Sequence, residues 1–342
     1  MLEIEGIEHH IMHKAIPGKY HFLLGPAITK HNGVFRASWS NSWRSENDNN
    51  TILTEGCSYD GGRTWQDEHV ISKKEEGLGR SHGIYFKHED KLYVFCPVAS
   101  YDKNLYPDLK MEAYLLNGKG EYDCLGTVQD DEFWPMCDPI TLDDGTLLMP
   151  GLKCYVTEKY AYGLPCVALC DGKDLTKWTL SIIPDKNGLC EWGETSVLKL
   201  KDSLIAVVRP NLQRHALISY SFDNGKSWTD LVESNFEISA SKTYSGTLSN
   251  GVNYIVFTVK GEEKYTRNTL AIGIGKDGVF SNVYVIRNGF EETPQFGFNK
   301  EWCYPYAYED IDEGKLYVVY SKNKQDAELA IIPIESLKVA KK

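Results

Sequence analysis

A turn followed by a hydrophobic, β-rich run recurs six times along the chain. The runs are NGVFRASW, EDKLYVFCPV, DDGTLLMPG, KDSLIAVVRP, NGVNYIVFTV and DEGKLYVVYS, which begin at Asn32, Glu89, Asp143, Lys201, Asn250 and Asp312. Successive starts are 57, 54, 58, 49 and 62 residues apart, an average of 56 over 280 residues. A period of this size is typical of repeat architectures. The six units account for the whole chain of 342 residues.

Each run is flanked by further β-rich segments. The preceding segments are GPAITKH, GIYFKH, DPITL, TSVLKL, SGTL and YPYAYEDI, and the following ones are TILTEGCS, MEAYLLN, LPCVALC, HALISYS, TLAIGIG and AELAIIPI. The unit is therefore an up-down-up antiparallel sheet, usually completed by a fourth, less distinct strand. Radial repetition lets such small sheets bury both faces and leaves few edges. The sequence predicts an all-β fold, a six-bladed β-propeller with three- to four-stranded blades, forming one domain over residues 1–342.

One eight-residue pattern occurs twice, as SYDGGRTW (Ser58–Trp65) and as SFDNGKSW (Ser221–Trp228). Both copies follow the third strand of a unit, at its turn into the fourth. Serine and aspartate side chains satisfy backbone donors in such turns, and glycine permits positive φ. CDGKDLTKW and GKDGVFSN, which follow the third strands of units three and five, are degenerate copies of the same pattern. We interpret the pattern as a turn with a structural role that stabilises the blade, not as a catalytic motif.

The pattern S-x-D-x-G-x-T/S-W resembles the Asp-box, or BNR repeat, of the sialidase superfamily, and the six units fit that family's propeller. The last unit, YPYAYEDIDEGKLYVVYSKNKQDAELAIIPIESL, also resembles the final blade of bacterial sialidase-like propellers. Some relatives of that group act on rhamnose–glucuronate linkages. The resemblance covers nearly all of the chain as architecture, but Asp-boxes occur in hydrolases, lyases and binding proteins alike.

Composition excludes some function classes. The formal net charge of −11 argues against a nucleic-acid partner, which requires a basic surface. No apolar run approaches the roughly 20 residues that span a bilayer, so we expect no membrane partner. The start, MLEIEGIEHHIMHKAIPGKY, has no basic region followed by an apolar core, and the nine cysteines show no zinc-like spacing. We expect a cytoplasmic protein with buried free thiols, without cofactor or metal motif.

Ionisable or phenolic side chains start the inner strand of five of the six blades. When the units are aligned on their first turn, these residues are His82, Asp138, Glu194, Tyr244 and Tyr304, whereas blade one has Leu24-Gly25-Pro26 at this position. Inner strands begin on one face of a propeller around the central channel. Because packing hardly explains this convergence, we expect a ligand site on that face.

Second strands return to the same face, where Arg209 and Lys322 end two of them. A charge at the end of a buried strand needs a partner. Arg209 either forms a structural salt bridge, for instance to Glu194, or binds the carboxylate of an acidic sugar, for which a bidentate guanidinium is suited.

The resemblance to sialidases implies an arginine triad on the substrate carboxylate, an aspartate acid/base and a tyrosine nucleophile activated by a glutamate. Residue by residue, Glu194 matches the glutamate, Arg209 the second arginine and Tyr304 the nucleophile. Arg287 or Arg267 is the candidate third arginine. The first arginine is missing, because that position reads LLGP, and no aspartate is identifiable as the acid/base.

The stretch GRSHGIYF provides another candidate. His82 opens an inner strand beside Arg80, and a histidine titrates near neutrality and acts as a general acid or base. The rhamnose–glucuronate-cleaving relatives rely on a histidine. His82 is therefore an acid/base candidate for hydrolysis or β-elimination of a uronic acid, or else a core histidine bridging two blades.

Two aromatic segments are further candidates. The blade-one insertion SWSNSWRSENDNN holds Trp43 together with Arg44, Glu46 and Asn47, a combination that suits sugar stacking and hydroxyl recognition or simply a solvated loop. FWPMCD leads Trp134 towards the same face, as a pocket wall or as packing between blades.

Together these features predict a carbohydrate-active enzyme, a glycoside hydrolase or lyase, that cleaves an acidic and uronic-acid-containing oligosaccharide. His82, Tyr304 and Glu194 are the catalytic candidates. The substrate-binding candidates are Arg209, Arg80, Asp138, Tyr244, Trp43, Lys322 and Arg287. An exo-sialidase with a tyrosine nucleophile and a non-catalytic carbohydrate-binding propeller are the alternatives. The sequence leaves the exact sugar, the linkage and the oligomeric state open.

Overall fold

The computed structural model describes residues 1–43, 48–101, 106, 108–156, 161–211, 215–261, 266–290 and 300–340. These residues form 26 strands in six antiparallel sheets. The sheets follow one another along the chain as the blades of a propeller, which confirms the predicted six-bladed fold. A 3₁₀ turn at Ile334–Ser336 follows the last strand.

Blades one to three are contiguous segments of the chain. Blade one comprises β2 (Phe22–His31), β3 (Val34–Ser42), β4 (Ile52–Ser58) and β5 (Gln66–Val70). Blade two comprises β6 (Gly79–Arg80), β7 (Ile84–His88), β8 (Lys91–Ala99), β9 (Lys110–Leu116) and β10 (Tyr122–Gln129). Blade three comprises β11 (Phe133–Pro135), β12 (Ile140–Thr141), β13 (Leu147–Val156), β14 (Ala161–Cys170) and β15 (Thr179–Ile182).

Blades four and five repeat the pattern, and blade six is built from both ends of the chain. Blade four comprises β16 (Thr195–Lys199), β17 (Leu204–Val208), β18 (His215–Ser221) and β19 (Val232–Glu237). Blade five comprises β20 (Tyr244–Thr247), β21 (Asn253–Thr258), β22 (Thr269–Lys276) and β23 (Val279–Asn288). Blade six comprises β24 (Trp302–Asp310), β25 (Lys315–Lys322), β26 (Asp326–Pro333) and, as its outer strand, β1 (Glu8–His13). The N-terminal strand therefore closes the ring.

The two Asp-box turns have the hydrogen bonds that their sequence predicts. In blade one, Ser58 Oγ donates to Asp60 Oδ1 (2.8 Å) and accepts from the Gly62 N–H (2.9 Å). The Thr64 N–H donates to Asp60 Oδ1 (2.9 Å), and Trp65 Nε1 donates to the Gly62 carbonyl (3.0 Å). The equivalent bonds in blade four join Ser221, Asp223, Gly225, Ser227 and Trp228. Hydrogen bonds from the turn lower the pKa of both aspartates.

The two Asp-box turns also pack against the preceding blade. A Cβ on Gly62 would lie 2.9 Å from Leu329 in blade six, and one on Gly225 would lie 2.6 Å from Leu148 in blade three. Both glycines have positive φ, 87° and 79°. In the degenerate copy of blade three, Trp178 packs edge-to-face on Phe95 of blade two at 5.5 Å. Glycine is therefore required by backbone conformation and by the close approach of the neighbouring blade.

Candidate functional site

A cavity of about 310 Å³ lies on the face where the inner strands begin. All six blades contribute to it. Its lining consists of Leu24, His82, Tyr106, Trp134, Met136, Leu152, Trp192, Glu194, Arg209, Arg267, Glu301, Tyr304 and Lys324. All three catalytic candidates of the sequence, His82, Glu194 and Tyr304, are therefore brought to one cavity, together with Arg209.

The inner strand is irregular where it meets the cavity. In blades two and three it is broken into two segments, β6/β7 and β11/β12. In blades one and six it carries one extra residue relative to the second strand, between Leu24 and Ala27 and between Cys303 and Tyr306. A β-bulge of this kind re-aims side chains and is over-represented next to active sites.

The two bulges share a backbone conformation but differ in residue type. Gly25 in blade one has φ 54°, and Tyr304 in blade six has the same value. A left-handed φ costs an L-residue with a side chain about 1–2 kcal/mol, whereas glycine adopts it freely. Tyr304 is only 5% exposed and lines the cavity. The fold therefore holds a tyrosine in a strained conformation where it lines the cavity.

One ion pair of the cavity wall joins Arg209 and Glu194. Arg209 Nη1 donates to Glu194 Oε2 at 2.9 Å, and the Arg209 N–H donates to the Glu194 carbonyl at 3.1 Å. Burial acts to lower the pKa of Arg209, but Glu194 and Tyr304 outweigh it and raise the pKa above its usual value. Arg209 thus forms the salt bridge that the sequence suggested and also contributes to the cavity.

A second ion pair joins Arg267 and Glu301. Arg267 Nη1 donates to Glu301 Oε2 (2.8 Å) and Nη2 donates to the Ala240 carbonyl (2.8 Å). The side chain is 5% exposed, and its Nε has no hydrogen-bond partner within the described ranges. Arg267 lies 5.9 Å from the centroid of the Tyr304 ring. The two arginine–glutamate pairs therefore lie at one end of the cavity, with Tyr304 beside them.

Aromatic and aliphatic side chains form another part of the wall. Tyr106 meets Trp134 edge-to-face at 5.3 Å and Trp192 at 6.2 Å. Met136 and Leu152 extend this apolar surface. Trp134 Nε1 is buried and has no partner among the described residues. A cavity that joins two arginine–glutamate pairs to an aromatic wall suits a ligand with a polar or acidic group and a flat, partly apolar body.

His82 is buried in the wall and held through its ring nitrogens. Its Nε2–H donates to the Pro135 carbonyl at 3.1 Å, since a carbonyl only accepts, and the Ser81 hydroxyl lies 3.4 Å from Nδ1. The ring packs 6.1 Å from Trp134. This geometry leaves Nδ1 as the nitrogen able to accept a proton.

Asp138 and Tyr244 meet each other, but in a second cavity of about 300 Å³ that also contains Tyr254 and Lys199. The Tyr244 hydroxyl donates to Asp138 Oδ1. Burial raises the pKa of Asp138, and the hydrogen bond from Tyr244 opposes this effect. The break in blade three directs Met136 to the first cavity and Asp138, two residues later, to the second.

The structure places Arg80 and Trp43 away from the first cavity. Arg80 is buried and forms an ion pair with Glu112. The Arg80 Nε donates to Glu112 Oε2 at 3.2 Å. Trp43 is 47% exposed and stands edge-to-face to Tyr20 at 6.5 Å, beside a separate surface cavity. Its sequence neighbours Arg44, Glu46 and Asn47 lie outside the described residues.

Arg287 and Lys322 also lie elsewhere in the described structure. Arg287 is on the outermost strand of blade five, where Nη2 donates to Glu328 Oε2 (2.6 Å). Lys322 lies 3.8 Å from Glu328 Oε1 and 5.9 Å from the Trp302 ring. These two candidates therefore share Glu328 as a partner rather than the cavity.

The sequence-based prediction did not include Glu301 and Lys324, and it named Arg287 as substrate-binding where Arg267 lines the cavity. Glu301 directly precedes β24, Lys324 lies in the β25–β26 turn, and Arg267 lies two residues before the start of β22. Each of these residues lies at the end of a strand on the cavity face. Aligning the strand ends of all six blades, in addition to the starts of the inner strands, would have identified them.

Within the described ranges, no group of three or more His, Cys, Asp and Glu side chains is arranged to hold a metal ion. No helix of the described chain is both long enough and apolar enough to cross a membrane.

Solved structures with the same architecture include one protein of unknown function and several sialidases. The former, from Dyadobacter fermentans, is 16% identical with a TM-score of 0.76, covering 97% of this chain and 100% of that one. A Trypanosoma rangeli sialidase mutant displaying trans-sialidase activity is 14% identical with a TM-score of 0.70, over 98% of this chain and 60% of that one. Hadza microbial sialidase Hz136 is 12% identical with a TM-score of 0.70, over 93% and 66%.

At these identities the likeness shows the fold, and the chain spans less than two thirds of the length of both sialidases. No relative was found among curated proteins. The family model of the BNR repeat-like domain matches residues 33–318, which is most of the chain. Together with the six blades and the two Asp-box turns, this match shows that the chain belongs to the BNR repeat-like domain family.

Proposed function

We propose that this protein is a carbohydrate-active enzyme that cleaves an acidic oligosaccharide in the cavity of about 310 Å³. The observation that carries the proposal is the placement of Arg209 and Arg267 beside the strained Tyr304. Two guanidinium groups held by carboxylates suit the recognition of a sugar carboxylate. The aromatic wall of Tyr106, Trp134 and Trp192 supports the same ligand class, because sugar rings pack on aromatic faces.

Tyr304 and Glu194 are the best supported reacting groups. A neutral tyrosine suits attack at an anomeric centre beside a carboxylate, because a carboxylate nucleophile would be repelled by the substrate. Glu194 lines the same cavity, and Arg209 lies close enough to Glu194 and Tyr304 to interact electrostatically with both. The backbone strain at Tyr304 supports this role, since such strain persists only where the surrounding structure enforces it.

His82 is the alternative acid/base group. Nδ1 would accept the proton abstracted from a uronic acid in β-elimination, or from water in hydrolysis. The hydrogen bond from Nε2 to the Pro135 carbonyl fixes the tautomer that this step requires. The products separate the alternatives, because β-elimination of a uronide creates an unsaturated, absorbing product and hydrolysis does not.

The test is product analysis on rhamnose–glucuronate disaccharides, other uronides and sialyl-lactose. For the tyrosine mechanism we expect Tyr304→Phe to lower kcat/KM by about 10³-fold or more. Tyr308→Phe is the matched control on the same strand, with its hydroxyl near Lys87 rather than the cavity, and should stay within about twofold.

Three outcomes divide the candidate functions. Release of sialic acid that depends on Tyr304 favours an exo-sialidase over a uronide-cleaving enzyme. Loss of uronide cleavage in His82→Ala, with activity retained in Tyr304→Phe, moves the reacting role to His82. Binding of an acidic sugar without cleavage of any substrate favours a carbohydrate-binding propeller, a function that the mutual pairing of Arg209 with Glu194 and Arg267 with Glu301 also suits.

A further inference from the structure

The bulge of β24 leaves Tyr304 and Pro305 outside the pairing between β24 and β25. That pairing includes Cys303 and resumes only at Tyr306. The φ of Tyr304, 54°, is unfavourable for a residue with a side chain. It is unfavourable for a second reason, because a proline favours an extended conformation in the residue before it. Contacts from outside the β24–β25 ladder must therefore hold this conformation in place.

Lys242 of blade five makes such a contact. It lies two residues before β20, and its Nζ donates to the Pro305 carbonyl at 2.9 Å. Lys242 is 4% exposed, and its Nζ lies 5.7 Å from the centroid of the Tyr244 ring. In the part of the chain that the structure describes, the Pro305 carbonyl is its one hydrogen-bond partner, and it has no ion-pair partner. A buried ammonium group is thus attached to the backbone of the bulge.

Stability by itself does not explain this lysine. Burying an ammonium group costs free energy, because the group loses its hydration. A hydrophobic side chain of similar volume at such a position is often neutral or stabilising. Asp138 is close enough to interact electrostatically with Lys242, but the effect of Lys242 on the pKa of Asp138 is smaller than that of burial or of the Tyr244 hydroxyl. The strong contact of Lys242 is therefore its charge-assisted hydrogen bond to Pro305.

We propose that Lys242 is a positioning residue that holds Tyr304 in its cavity-lining conformation. This inference rests on the proposed function and deepens it, because Lys242 acts through Tyr304 and is not among the residues that line the cavity. By fixing the Pro305 carbonyl, Lys242 prevents the bulge from relaxing towards an extended conformation, which would displace the phenol. Gly25 has the same φ in the bulge of blade one and needs no such restraint, since glycine adopts this conformation freely.

Thr258 provides the matched control. It is also a buried residue of blade five whose side chain donates to a carbonyl of β24, because its Oγ1 donates to the Trp302 carbonyl at 3.1 Å. Trp302 is paired with Lys322 and lies outside the bulge. Lys242→Met and Thr258→Val therefore each remove one hydrogen bond from blade five to β24, but only the first removes a hydrogen bond to the bulge.

The first measurement is steady-state kinetics on a rhamnose–glucuronate disaccharide and on sialyl-lactose. We expect Lys242→Met to lower kcat by about 10- to 100-fold, the loss that a small displacement of a reacting group causes. Its KM should stay within about twofold, because the cavity lining is unchanged. Thr258→Val should keep kcat and KM within about twofold, and Tyr304→Phe should be inactive on the same substrate.

Thermal unfolding separates positioning from a structural role. Thr258→Val should lower the unfolding midpoint by about 1–3 °C, because it loses a buried hydrogen bond. Lys242→Met should leave the midpoint unchanged or raise it, since it removes a buried charge and releases the strain at Tyr304. Activity and stability are thus expected to change in different variants.

Fluorine NMR observes the conformation directly, with 3-fluorotyrosine introduced at position 304. We expect a single resonance in the otherwise wild-type protein and in Thr258→Val. Lys242→Met should shift this resonance or add a second one, because Tyr304 then also occupies an extended conformation.

Four results would overturn the role of Lys242 while leaving Tyr304 as the reacting group. They are a kcat of Lys242→Met within about twofold of wild type, an equal loss in Thr258→Val, an unchanged fluorine resonance in Lys242→Met, or a midpoint of Lys242→Met below that of Thr258→Val. Wild type that cleaves neither substrate, or Tyr304→Phe that is as active as wild type, would instead remove the proposed role of Tyr304 and this inference together.

Discussion

At the scale of single residues, the bulges of β2 and β24 show how one backbone conformation serves two purposes. Gly25 and Tyr304 have the same φ of 54°. In blade one the absence of a side chain makes room for His82, because a Cβ on Gly25 would lie 2.4 Å from the His82 Cβ. In blade six the same conformation presents a phenol to the cavity. The residue type, rather than the backbone, distinguishes the two blades.

This close approach predicts a difference between two glycine substitutions. Gly33→Ala places a Cβ in open space at φ 79°, so only left-handed strain of about 1 kcal/mol destabilises it. Gly25→Ala adds a collision with His82 and should cost about 1–3 kcal/mol more. Urea unfolding measures both, and equal losses would show that His82 moves aside freely.

At the scale of secondary structure elements, β1 decides whether the ring is closed. It pairs with β26 from Glu8 opposite Ile331 to His13 opposite Ala327. Before β1, Leu2 forms a parallel bridge to Tyr284 on the outer strand of blade five. The N-terminal segment thus contacts both blade five and blade six. The stability of this ring closure depends on the side chains that the segment buries.

Neighbouring residues of β1 provide a test of that closure. Met12 is buried in the main core cluster, whereas Ile11 is exposed. Met12→Ala should lower the free energy of unfolding by about 2–5 kcal/mol, since it leaves a cavity in the core. Ile11→Ala should change it by less than about 0.5 kcal/mol. Chemical denaturation measures the pair, and a small effect of Met12→Ala would mean that β1 adds little to the stability of the ring.

At the scale of the whole molecule, the blades pack around the channel closely enough to bury most of the nine thiols. All nine cysteines are free, Cys124 is exposed and Cys190 is partly exposed, while the other seven are buried. Burial raises the pKa of the Cys137 thiol, and likewise that of Cys190, to about 12. Thiols of such high pKa remain protonated near neutral pH and react slowly.

A thiol-counting experiment therefore reports on the integrity of the ring. In the native protein, a chromogenic disulfide reagent should modify one thiol rapidly, and all nine should react in guanidinium chloride. Cys124→Ser should abolish the rapid phase. Rapid reaction of several thiols in the native protein would show that the blade interfaces open readily.

Much of this architecture was predictable because it is local. The Asp-box turns depend on bonds among residues at most four positions apart, such as Ser58 with Gly62 and Asp60 with Thr64. The repeat of turn and strand likewise uses contacts within one unit. The cavity could be located at one face of the ring for the same reason, since His82, Glu194 and Tyr304 occupy equivalent positions in their repeats.

The sequence by itself therefore determined the six blades, the two Asp-box turns and the face of the ring on which the ionisable side chains of the site lie. Tertiary structure alone decided which charges meet there. Arg287 was excluded because β23 is the outermost strand of its blade, whereas Arg267 precedes β22 at the cavity face. Lys324 took the place expected for Lys322 because the β25–β26 turn directs the two side chains to different partners. These choices depend on bulges, strand breaks and contacts between distant blades, which no local sequence pattern specifies.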